Sequence, residues 1–304
     1  MKWIKRGRIL AEAGRHPWQV SHAAVPIADP LDDHTWRLFF SARDAANRSH
    51  TGCALVALER GVPRVSSIAP QPVLSPGRLG AFDDDGAMAS WVTAYGARRF
   101  LYYIGWNRGV TVPFRNAIGL AVSDDGGRSF ARYSDGPILD RDTTDPFFTA
   151  SACVLIEGPL WRMWYLSCVG WELQEAKPQH LYHIKYAESR DGIHWERTGV
   201  VALGFRSAAE YAISRPCVLK DGDLYRMWYS YRGRAYRIGY AESADGISWR
   251  RLDEAAGIEP GPEAWDSEMI EYPFVFDTAI GRCMLYNGND YGRTGIGLAV
   301  LERT

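Results

Sequence analysis

Four carboxylates stand at or just before the start of strand-like segments that recur along the 304-residue chain. They are Asp85, Glu210, Glu268 and Glu271. When the segments are aligned on Pro216 and Pro273, Asp85 and Glu268 share one position, five residues before the aligned one. A carboxylic acid that donates a proton, set opposite a carboxylate that activates water or attacks carbon, can cleave a glycosidic bond. These four residues are therefore the candidates for catalysis.

Aromatic, basic and polar side chains near the same positions suit a polyhydroxylated ligand. The candidates for binding are Trp18, His22, Arg43, Asp84, Tyr211, Arg215 and Tyr272, and loops after the second segments add Asn107, Trp171, Arg232, Asn289, Tyr291 and Arg293. Sugars need flat apolar faces and polar groups that pair with hydroxyls. Since side chains alternate along a strand, positions at odd offsets are expected to line one cavity, unless a β-bulge reverses them locally. His22 and Arg215 could bind an anionic group or, alternatively, neutralise buried carboxylates.

The segments that position these residues belong to an internal repeat. Two copies are clear, RMWYLS (162–167) with IKYAESRDGIHWERTG (184–199) and RMWYSY (226–231) with IGYAESADGISWRR (238–251). Looser copies bring the count to five, and the second aromatic of each falls at Phe40, Tyr103, Tyr165, Tyr229 and Tyr286, at intervals of 63, 62, 64 and 57 residues. Each copy has the pattern of four short strands without helical periodicity. This predicts an all-β, five-bladed β-propeller with four antiparallel strands per blade.

The repeat predicts one domain over residues 1–304, with blades at approximately 15–80, 81–140, 141–205, 206–262 and 263–304 together with 1–10. The last copy reaches residues 296–300 without a fourth strand. The segment Trp3–Leu10 has the pattern of that strand, with Trp3 in the place of Trp195 and Trp249. We therefore expect the N-terminal segment to pair with the last blade and close the ring, which removes two exposed sheet edges.

Two sets of acidic residues are expected to be structural. The turns SRDG (189–192), SADG (243–246) and SDDGG (123–127) combine an Asp that accepts backbone N–H bonds with a glycine that supplies positive φ. Asp83, Asp145 and Asp266, seven residues before the aligned position, are expected to cap the turns that open the strands.

The five-unit pattern, the recurring GxY/LAxSxDGxxW motif and the aromatic second strands resemble the furanosidase-type glycoside hydrolase propellers (families 32, 43 and 68) and the family 130 mannoside phosphorylases. The resemblance covers nearly the whole chain and implies a carbohydrate-active propeller. In family 43 it implies an Asp base on blade one, an Asp on blade two and a Glu acid on blade three. Here blade one offers Ser21 and His22, and blade three offers only Asp145. The active site is therefore expected to be divergent.

The residues themselves favour another pair of roles. We expect Glu268 to be the acid, its pKa raised by aromatic surroundings such as Trp18, and Asp85 to be the base. The alternative for both residues is that they only cap turns. Glu210 and Glu271 remain further acidic candidates on blades four and five.

Three functional hypotheses follow from these residues. The leading one is a glycoside hydrolase that acts on a small or intermediate glycoside in the central funnel. A glycoside phosphorylase would need a phosphate pocket, which His22, Arg43 and Arg215 could supply. A non-catalytic glycan-binding propeller would explain the missing acid on blade one.

Composition narrows the partners and the location. The 35 basic and 36 acidic residues nearly cancel, which argues against nucleic-acid and membrane partners. No apolar run approaches the roughly 20 residues of a membrane span, and the first residues show no signal-peptide pattern. Five widely spaced cysteines favour a reducing cytoplasm. No cofactor is expected, although the central channel could hold a metal ion, and the oligomeric state is not predicted.

Overall fold

The computed structural model describes residues 1–11, 14 and 16–302. Within them the chain is built of β-strands and two short 3₁₀ turns, with no α-helix. The strands are β1 (Trp3–Leu10), β2 (Ser21–Pro30), β3 (Thr35–Arg43), β4 (Ser49–Glu59), β5 (Val62–Ile68), β6 (Gly86–Tyr95), β7 (Arg98–Arg108), β8 (Phe114–Ser123), β9 (Ala131–Arg132), β10 (Thr149–Glu157), β11 (Leu160–Gln174), β12 (Lys177–Ser189), β13 (Trp195–Glu196), β14 (Val201–Leu203), β15 (Ala212–Asp221), β16 (Leu224–Arg232), β17 (Tyr236–Ser243), β18 (Arg250–Arg251), β19 (Glu271–Thr278), β20 (Gly281–Asn287) and β21 (Ile296–Leu301). The 3₁₀ turns are Asp253–Ala255 and Asp290–Gly292. No helix of this described part is long and apolar enough to cross a membrane.

The strands form five consecutive antiparallel groups, one for each copy of the sequence repeat. The groups are β2 to β5, β6 to β9, β10 to β12 with both β13 and β14 on β12, β15 to β18, and β19 to β21 with β1. Single parallel pairings of Ser49 with Gly86 and of Tyr182 with Ala212 join the first group to the second and the third to the fourth. The all-β prediction is confirmed. The strands that begin each copy, β2, β6, β10, β15 and β19, bring the candidate residues to equivalent places.

The N-terminal strand β1 lies beside the last strand of the fifth group. It pairs antiparallel with β21, with Trp3 opposite Leu301 and Leu10 opposite Ile296. The indole of Trp3 meets that of Trp228 edge to face at 6.2 Å. The segment Trp3–Leu10 therefore makes the pairing that the incomplete last repeat predicts.

A buried hydrogen bond between a tyrosine and an aspartate recurs in four of the five groups. The second-strand tyrosines donate from their hydroxyls as follows: Tyr103 to Asp83 at 3.1 Å, Tyr165 to Asp145 at 2.9 Å, Tyr286 to Asp266 at 3.2 Å, and Tyr229 to Asp253. Each aspartate also receives a cation, mostly from an outer strand: Arg132 on Asp83, Lys185 and Arg197 on Asp145, Arg251 on Asp253, and Lys5 on Asp266. Because a buried carboxylate is costly without partners, these contacts give the aspartates a structural role. Lys5, on β1, occupies the place that Arg132 and Arg251 hold in other groups.

The first group replaces this contact with aromatic packing. Phe40 stands where the other groups have tyrosine and has no hydroxyl to donate. Trp18 packs against Phe40 at 6.0 Å, stacks on His16 at 5.9 Å and donates its indole N–H to the carbonyl of Pro70 at 3.0 Å. Its six-membered ring covers Gly52, where a Cβ would lie only 2.4 Å away. Trp18 is therefore part of the core.

The Ser-Asp-Gly turns are held by their own hydrogen bonds. In the third group, the backbone N–H groups of Ile193 and His194 donate to Asp191 Oδ1 at 2.8 and 2.9 Å. Gly192 has φ 74°, and a Cβ there would lie 2.5 Å from the Trp161 ring. The turn therefore needs both the carboxylate and the glycine, as the structural interpretation predicts.

Candidate functional site

The register of all five leading strands shifts near their start, in β6 after Ala89 and in the other four one aligned position earlier. The register shifts after Ser21, Ala150, Ser214 and Glu271. The residue that follows each of these has positive φ without being glycine: His22 (64°), Ser151 (48°), Arg215 (55°) and Tyr272 (56°). These four residues fall at one aligned position of the repeat. A backbone of this kind costs about 1–3 kcal/mol, and a bulge re-aims a side chain, so simple alternation does not describe this part of the strands.

Arg215 uses that geometry to join three leading strands. From β15 its guanidinium donates to the carbonyl of Pro26 on β2 at 2.8 Å and to that of Ser90 on β6. The side chain is 1% exposed, and burial lowers its pKa to about 10. The sequence left two roles open for Arg215, anion binding and neutralisation of a buried carboxylate, and its hydrogen bonds go instead to the backbone carbonyls of two other leading strands. The described residues contain no cluster of three or more His, Cys, Asp or Glu that could hold a metal ion.

Glu210 and Asp85 are held by arginines. Both oxygens of Glu210 accept from Arg251, at 2.7 and 3.0 Å. Asp85 accepts from the backbone N–H and the Nε of Arg108, at 2.9 and 3.0 Å. Burial favours a higher pKa for Asp85, but the hydrogen bonds from Arg108 outweigh it and hold this pKa below its usual range. Glu210 therefore has a structural role, and Asp85 is an ionised carboxylate whose oxygens are occupied.

Glu268 and Asp84 lie in the loops that precede the leading strands. Glu268 is exposed, and its backbone N–H donates to Asn289 Oδ1 at 2.9 Å. Trp18, which we expected to surround Glu268, packs instead inside the first group. Asp84 accepts the backbone N–H of Gly80 at 2.9 Å and so closes a turn.

Glu271, the first residue of β19, is buried with its hydrogen bonding incomplete. It is 0% exposed, and neither carboxyl oxygen accepts a hydrogen bond of full geometry from a described residue, while the Tyr272 hydroxyl lies close enough to act on the carboxyl as a donor. Burial raises its pKa well above the usual value, against the opposing effects of the Arg232 charge and the neighbouring Tyr272 hydroxyl. Burial therefore favours the protonated form of Glu271.

Tyrosines and Arg232 surround this acid. The hydroxyls of Tyr182 and Tyr236 lie 2.5 Å apart. The guanidinium of Arg232 lies over the rings of Tyr211, Tyr236 and Tyr291 at 5.4, 5.3 and 5.4 Å. Tyr272 is half-buried, and its ring lies 6.1 Å from that of Tyr236. The charge of Glu271 raises the pKa of Tyr272 after burial, the larger cause, so this hydroxyl keeps its proton.

His22 and Arg43 meet at the start of β2. Arg43 pairs with Ser21 across β2 and β3, and Ser21 Oγ lies 2.9 Å from His22 Nδ1. Burial and the charges of Arg43 and Arg293 lower the pKa of His22 to about 4, although Asp290 opposes them. Burial also lowers the pKa of Arg43, whose Nη1 donates to the neutral Asn47 at 2.8 Å. His22 is therefore uncharged at pH 7.

The 3₁₀ turn Asp290–Gly292 brings a further carboxylate beside His22. The turn packs against β2 so closely that a Cβ on Gly292 would lie 2.6 Å from the Cβ of Ala24. Asp290 and Tyr291 both have positive φ, 57° and 56°. Asp290 is exposed, and no described residue donates a hydrogen bond to its carboxylate. Its charge acts on both His22 and Glu271.

A cluster of aromatic rings adjoins these groups, and we call it the aromatic cluster. Its members are Phe114, Phe148, Trp171, His180, Tyr182 and Tyr211. His180 stacks on Tyr182 at 4.5 Å with the planes 8° apart, and burial lowers its pKa to about 4. Phe114, Trp171, His180 and Tyr211 are only half-buried, so part of the cluster remains open to a ligand.

Several members of this site were not singled out from the sequence. Asp290 lies between two loop residues that were, Asn289 and Tyr291, and the Asn-Asp-Tyr-Gly run around it is the signal of a tight turn. His180, Tyr182 and Tyr236 stand at the starts of third strands, and only their stacking in space reveals them.

Sequence comparison finds close relatives of unknown role. No family model matches the chain. The uncharacterized protein MT1551 of Mycobacterium tuberculosis (strain CDC 1551 / Oshkosh) is 45% identical over 302 residues, which cover 99% of this chain and 100% of the relative. The uncharacterized protein Rv1502 of strain ATCC 25618 / H37Rv is 44% identical over the same span. This chain belongs to their family.

Solved structures show which fold the family adopts. A BT0996 RGII complex superposes with a TM-score of 0.77 at 16% identity, covering 99% of this protein and 93% of the matched one. A "Glycoside hydrolase" gives 0.76 at 17% identity with the same coverage, and a thermostable family-43 glycoside hydrolase gives 0.68 at 17%, covering 93% and 89%. The MT1551 and Rv1502 family therefore has the fold of the propeller glycoside hydrolases.

Proposed function

We propose that this protein is a carbohydrate-active enzyme, a glycoside hydrolase. Its substrate would be a small or intermediate glycoside that binds between Glu271 and the aromatic cluster and is cleaved there. The single observation that carries the proposal is the carboxyl group of Glu271, which is fully buried, has its pKa raised by that burial and makes no hydrogen bond of full geometry to a described residue. Similarity to glycoside hydrolase structures supports the reaction class. The ionised and exposed Asp290 nearby supplies the second carboxylate.

Glu271 is the proton donor in this proposal. A general acid must hold its proton at the working pH, and burial is the usual means by which a carboxyl achieves this. A buried oxygen without a hydrogen-bond partner costs about 1–3 kcal/mol in folding free energy. This cost is a reason to look for a partner that a bound ligand would supply. The leaving oxygen of the substrate, reached beside the half-buried Tyr272, would complete its hydrogen bonding.

Asp290 is a better candidate for the carboxylate than Asp85 or Glu268. Both oxygens of Asp85 accept from Arg108, and the side chain of Glu268 has no hydrogen bond or ion pair to a described residue. Asp290 is unoccupied, lies in a strained turn against β2 and is close enough to act on the charge of Glu271. In the proposed reaction Asp290 takes a proton from water, the water oxygen bonds to the anomeric carbon, and Glu271 protonates the departing oxygen.

The architecture belongs to the same proposal. We take the five antiparallel groups as five blades of one propeller over residues 1–304, closed by β1 at the fifth. The pairing of β1 with β21 and the Lys5–Asp266 contact support this closure. A cytoplasmic location is also proposed, in keeping with the five free cysteines.

A phosphorylase is the second candidate, because Arg43 and Arg293 have no carboxylate partner among the described residues. It would bind phosphate there and use phosphate in place of water. The phosphate pocket would not include Arg215, which is buried between strands.

The test is cleavage of a panel of aryl and oligosaccharide glycosides with and without inorganic phosphate. We expect turnover by the wild type and loss of turnover in Glu271→Gln, with Glu268→Gln as the matched control that retains it. Wild-type protein that binds sugars and cleaves none under either condition would favour the non-catalytic hypothesis.

A further inference from the structure

We infer that His22, Arg43 and Arg293 form a subsite for an oxyanion, a carboxylate or a phosphate, beside the proposed catalytic groups. This oxyanion subsite rests on the proposed function and specifies its substrates. They would be either glycosides that carry an acidic group or a glycoside together with inorganic phosphate.

The first argument is the state of the two arginines. Several guanidinium groups with little exposure pair with carboxylates, as Arg251 does with Glu210 and Arg282 with Asp221, and the buried Arg215 bonds to two backbone carbonyls instead. The guanidinium of Arg43 is half-buried and donates only to the amide oxygen of Asn47, and the guanidinium of Arg293 has no hydrogen bond or ion pair to a described residue. A guanidinium matches the fork of two oxygens on a carboxylate or phosphate. Both arginines are therefore available for such a group.

The second argument is that backbone contacts fix the two arginines around His22. Arg43 pairs with Ser21, the neighbour of His22, across β2 and β3. Arg293 follows the turn whose Gly292 packs against Ala24 of β2. Asn287 reinforces the contact, since it accepts the N–H of Val25 at 2.8 Å and donates to the carbonyl of Ala23 at 2.7 Å. The arginines therefore reach His22 from two directions on a rigid frame.

The third argument is the hydrogen-bonding capacity of His22. A hydroxyl of Ser21 that donates to Nδ1 leaves the proton of the neutral ring on Nε2. This N–H is then a third donor beside two guanidinium groups. The positive φ of His22 holds the ring in an orientation that ordinary strand geometry would not give.

Space for a ligand lies beside Arg293. A groove of about 700 Å³ is lined by Ser21, Asp290 and Arg293, together with Arg8, Val20, Glu263, Ala264, Trp265 and Thr294. This volume falls within the roughly 300–1,000 Å³ of sites for small molecules. His22 and Arg43 do not line this groove but adjoin it through Ser21, which precedes His22 and pairs with Arg43. Asp290 lines the groove and its charge acts on Glu271, so a glycoside with its anionic group on Arg293 would lie close to the proposed carboxylates.

Calorimetric titration of the full chain at low salt tests the subsite, with inorganic phosphate, D-glucuronate and neutral D-glucose as probes. We expect at least one anion to bind ten-fold or more tightly than glucose. Arg43→Gln and Arg293→Gln should each weaken that binding about ten-fold, and Arg43→Lys should retain part of it. Arg98→Gln, which removes an exposed guanidinium paired with Asp124, is the matched control and should bind as the wild type does.

The outcomes separate the sources of the anion. Tight glucuronate binding with weak phosphate binding assigns a carboxylate on the substrate, whereas phosphate binding together with phosphate-dependent turnover assigns free phosphate. Anions that bind no better than glucose, or Arg43→Gln and Arg293→Gln proteins that are folded and bind normally, would overturn the subsite. If the protein cleaves neutral glycosides but binds no anion, only the subsite is contradicted. If it binds anions through Arg43 but cleaves no glycoside, only the proposed hydrolase activity is contradicted.

Discussion

Lys5 donates a hydrogen bond to Asp266 at 2.6 Å across 261 positions of the chain. Lys5 lies on β1 and Asp266 precedes β19, so this contact ties the beginning of the chain into the last repeat. The carboxylate of Asp266 is 2% exposed and also accepts from Tyr286. The contact therefore links the pairing of β1 to the buried polar core of that repeat.

Lys5→Met should destabilise the fold, because it leaves the buried Asp266 without its cation. The lysine is partly exposed, so we expect a loss of about 1–3 kcal/mol in the free energy of unfolding, below the 3–5 typical of fully buried pairs. Urea denaturation followed by tryptophan fluorescence measures it. Lys2→Met breaks only the exposed pair with Glu302 and should change stability by less than about 0.5 kcal/mol. The proposed closure by β1 would be contradicted if the two variants were equally stable. It would also be contradicted if deletion of residues 1–10 left the melting temperature unchanged.

Glu271→Gln should raise stability at neutral pH while it abolishes turnover. The pKa of Glu271 is raised in the folded state, so folding retains a proton that the unfolded chain releases above about pH 4.3. Glu271 therefore contributes a component of stability that falls as pH rises through this window, by up to about 1.4 kcal/mol per pH unit, and the amide removes that component, so the stability difference between the two proteins changes with pH. Paired urea titrations from pH 4 to 8 measure it. Parallel pH profiles for the two proteins would contradict the raised pKa of Glu271. Glu210→Gln is the control: it loses contacts to Arg251 and should be less stable than the wild type.

The histidines should destabilise the protein in acid. Burial lowers the pKa values of His22, His180 and His183 to about 4, below the usual value near 6.5. The unfolded chain therefore binds protons between about pH 6.5 and 4 that the folded chain does not, and stability falls as pH decreases through this range. His180→Phe keeps the stacking on Tyr182 and should reduce the loss. NMR titration of the imidazole signals gives each pKa directly, and values near 6.5 would refute this account.

Arg215→Met should weaken the protein without changing ligand affinity. The substitution leaves the carbonyls of Pro26 and Ser90 unpaired in a buried place, which we expect to cost about 2–4 kcal/mol in total. Arg215→Lys should rescue only part, since an ammonium group lacks the planar fork that spans two strands. Thermal unfolding and sugar titration of the folded variant separate the two effects. A stable Arg215→Met protein with weaker sugar binding would restore the binding role expected from the sequence.

The repeat predicted the strands because each copy carries the same pattern of aromatic, small and turn-forming residues. Tyr103, Tyr165, Tyr229 and Tyr286 are equivalent in sequence and make equivalent hydrogen bonds in space. Even the departure at Phe40 has a visible compensation in Trp18. Local pattern and global packing agree at these positions, so the sequence was sufficient to predict the strands. It did not predict that Trp18, a candidate for binding, packs in the core.

The candidate site was less predictable because its properties depend on partners that are remote in sequence. Asp85 and Glu268 share an aligned position, yet one is held by Arg108 and the other is exposed in a loop. Glu210 is neutralised by Arg251, which lies 41 residues away. The bulges after Ser21 and Glu271 change the direction of the next side chains. No residue pattern in the sequence predicted the positions of these bulges. The site therefore emerges only when the contacts between groups are known.

The pairing of β1 with β21 places Lys2 and Glu302 side by side, with the N–H of Glu302 donating to the carbonyl of Lys2 at 2.9 Å. Neighbouring ends can be linked by a few residues, and a chain so joined can be reopened at an exposed hairpin. A circularly permuted protein that starts at a different repeat should therefore fold to the same structure, since the covalent order of the repeats is not what holds them together.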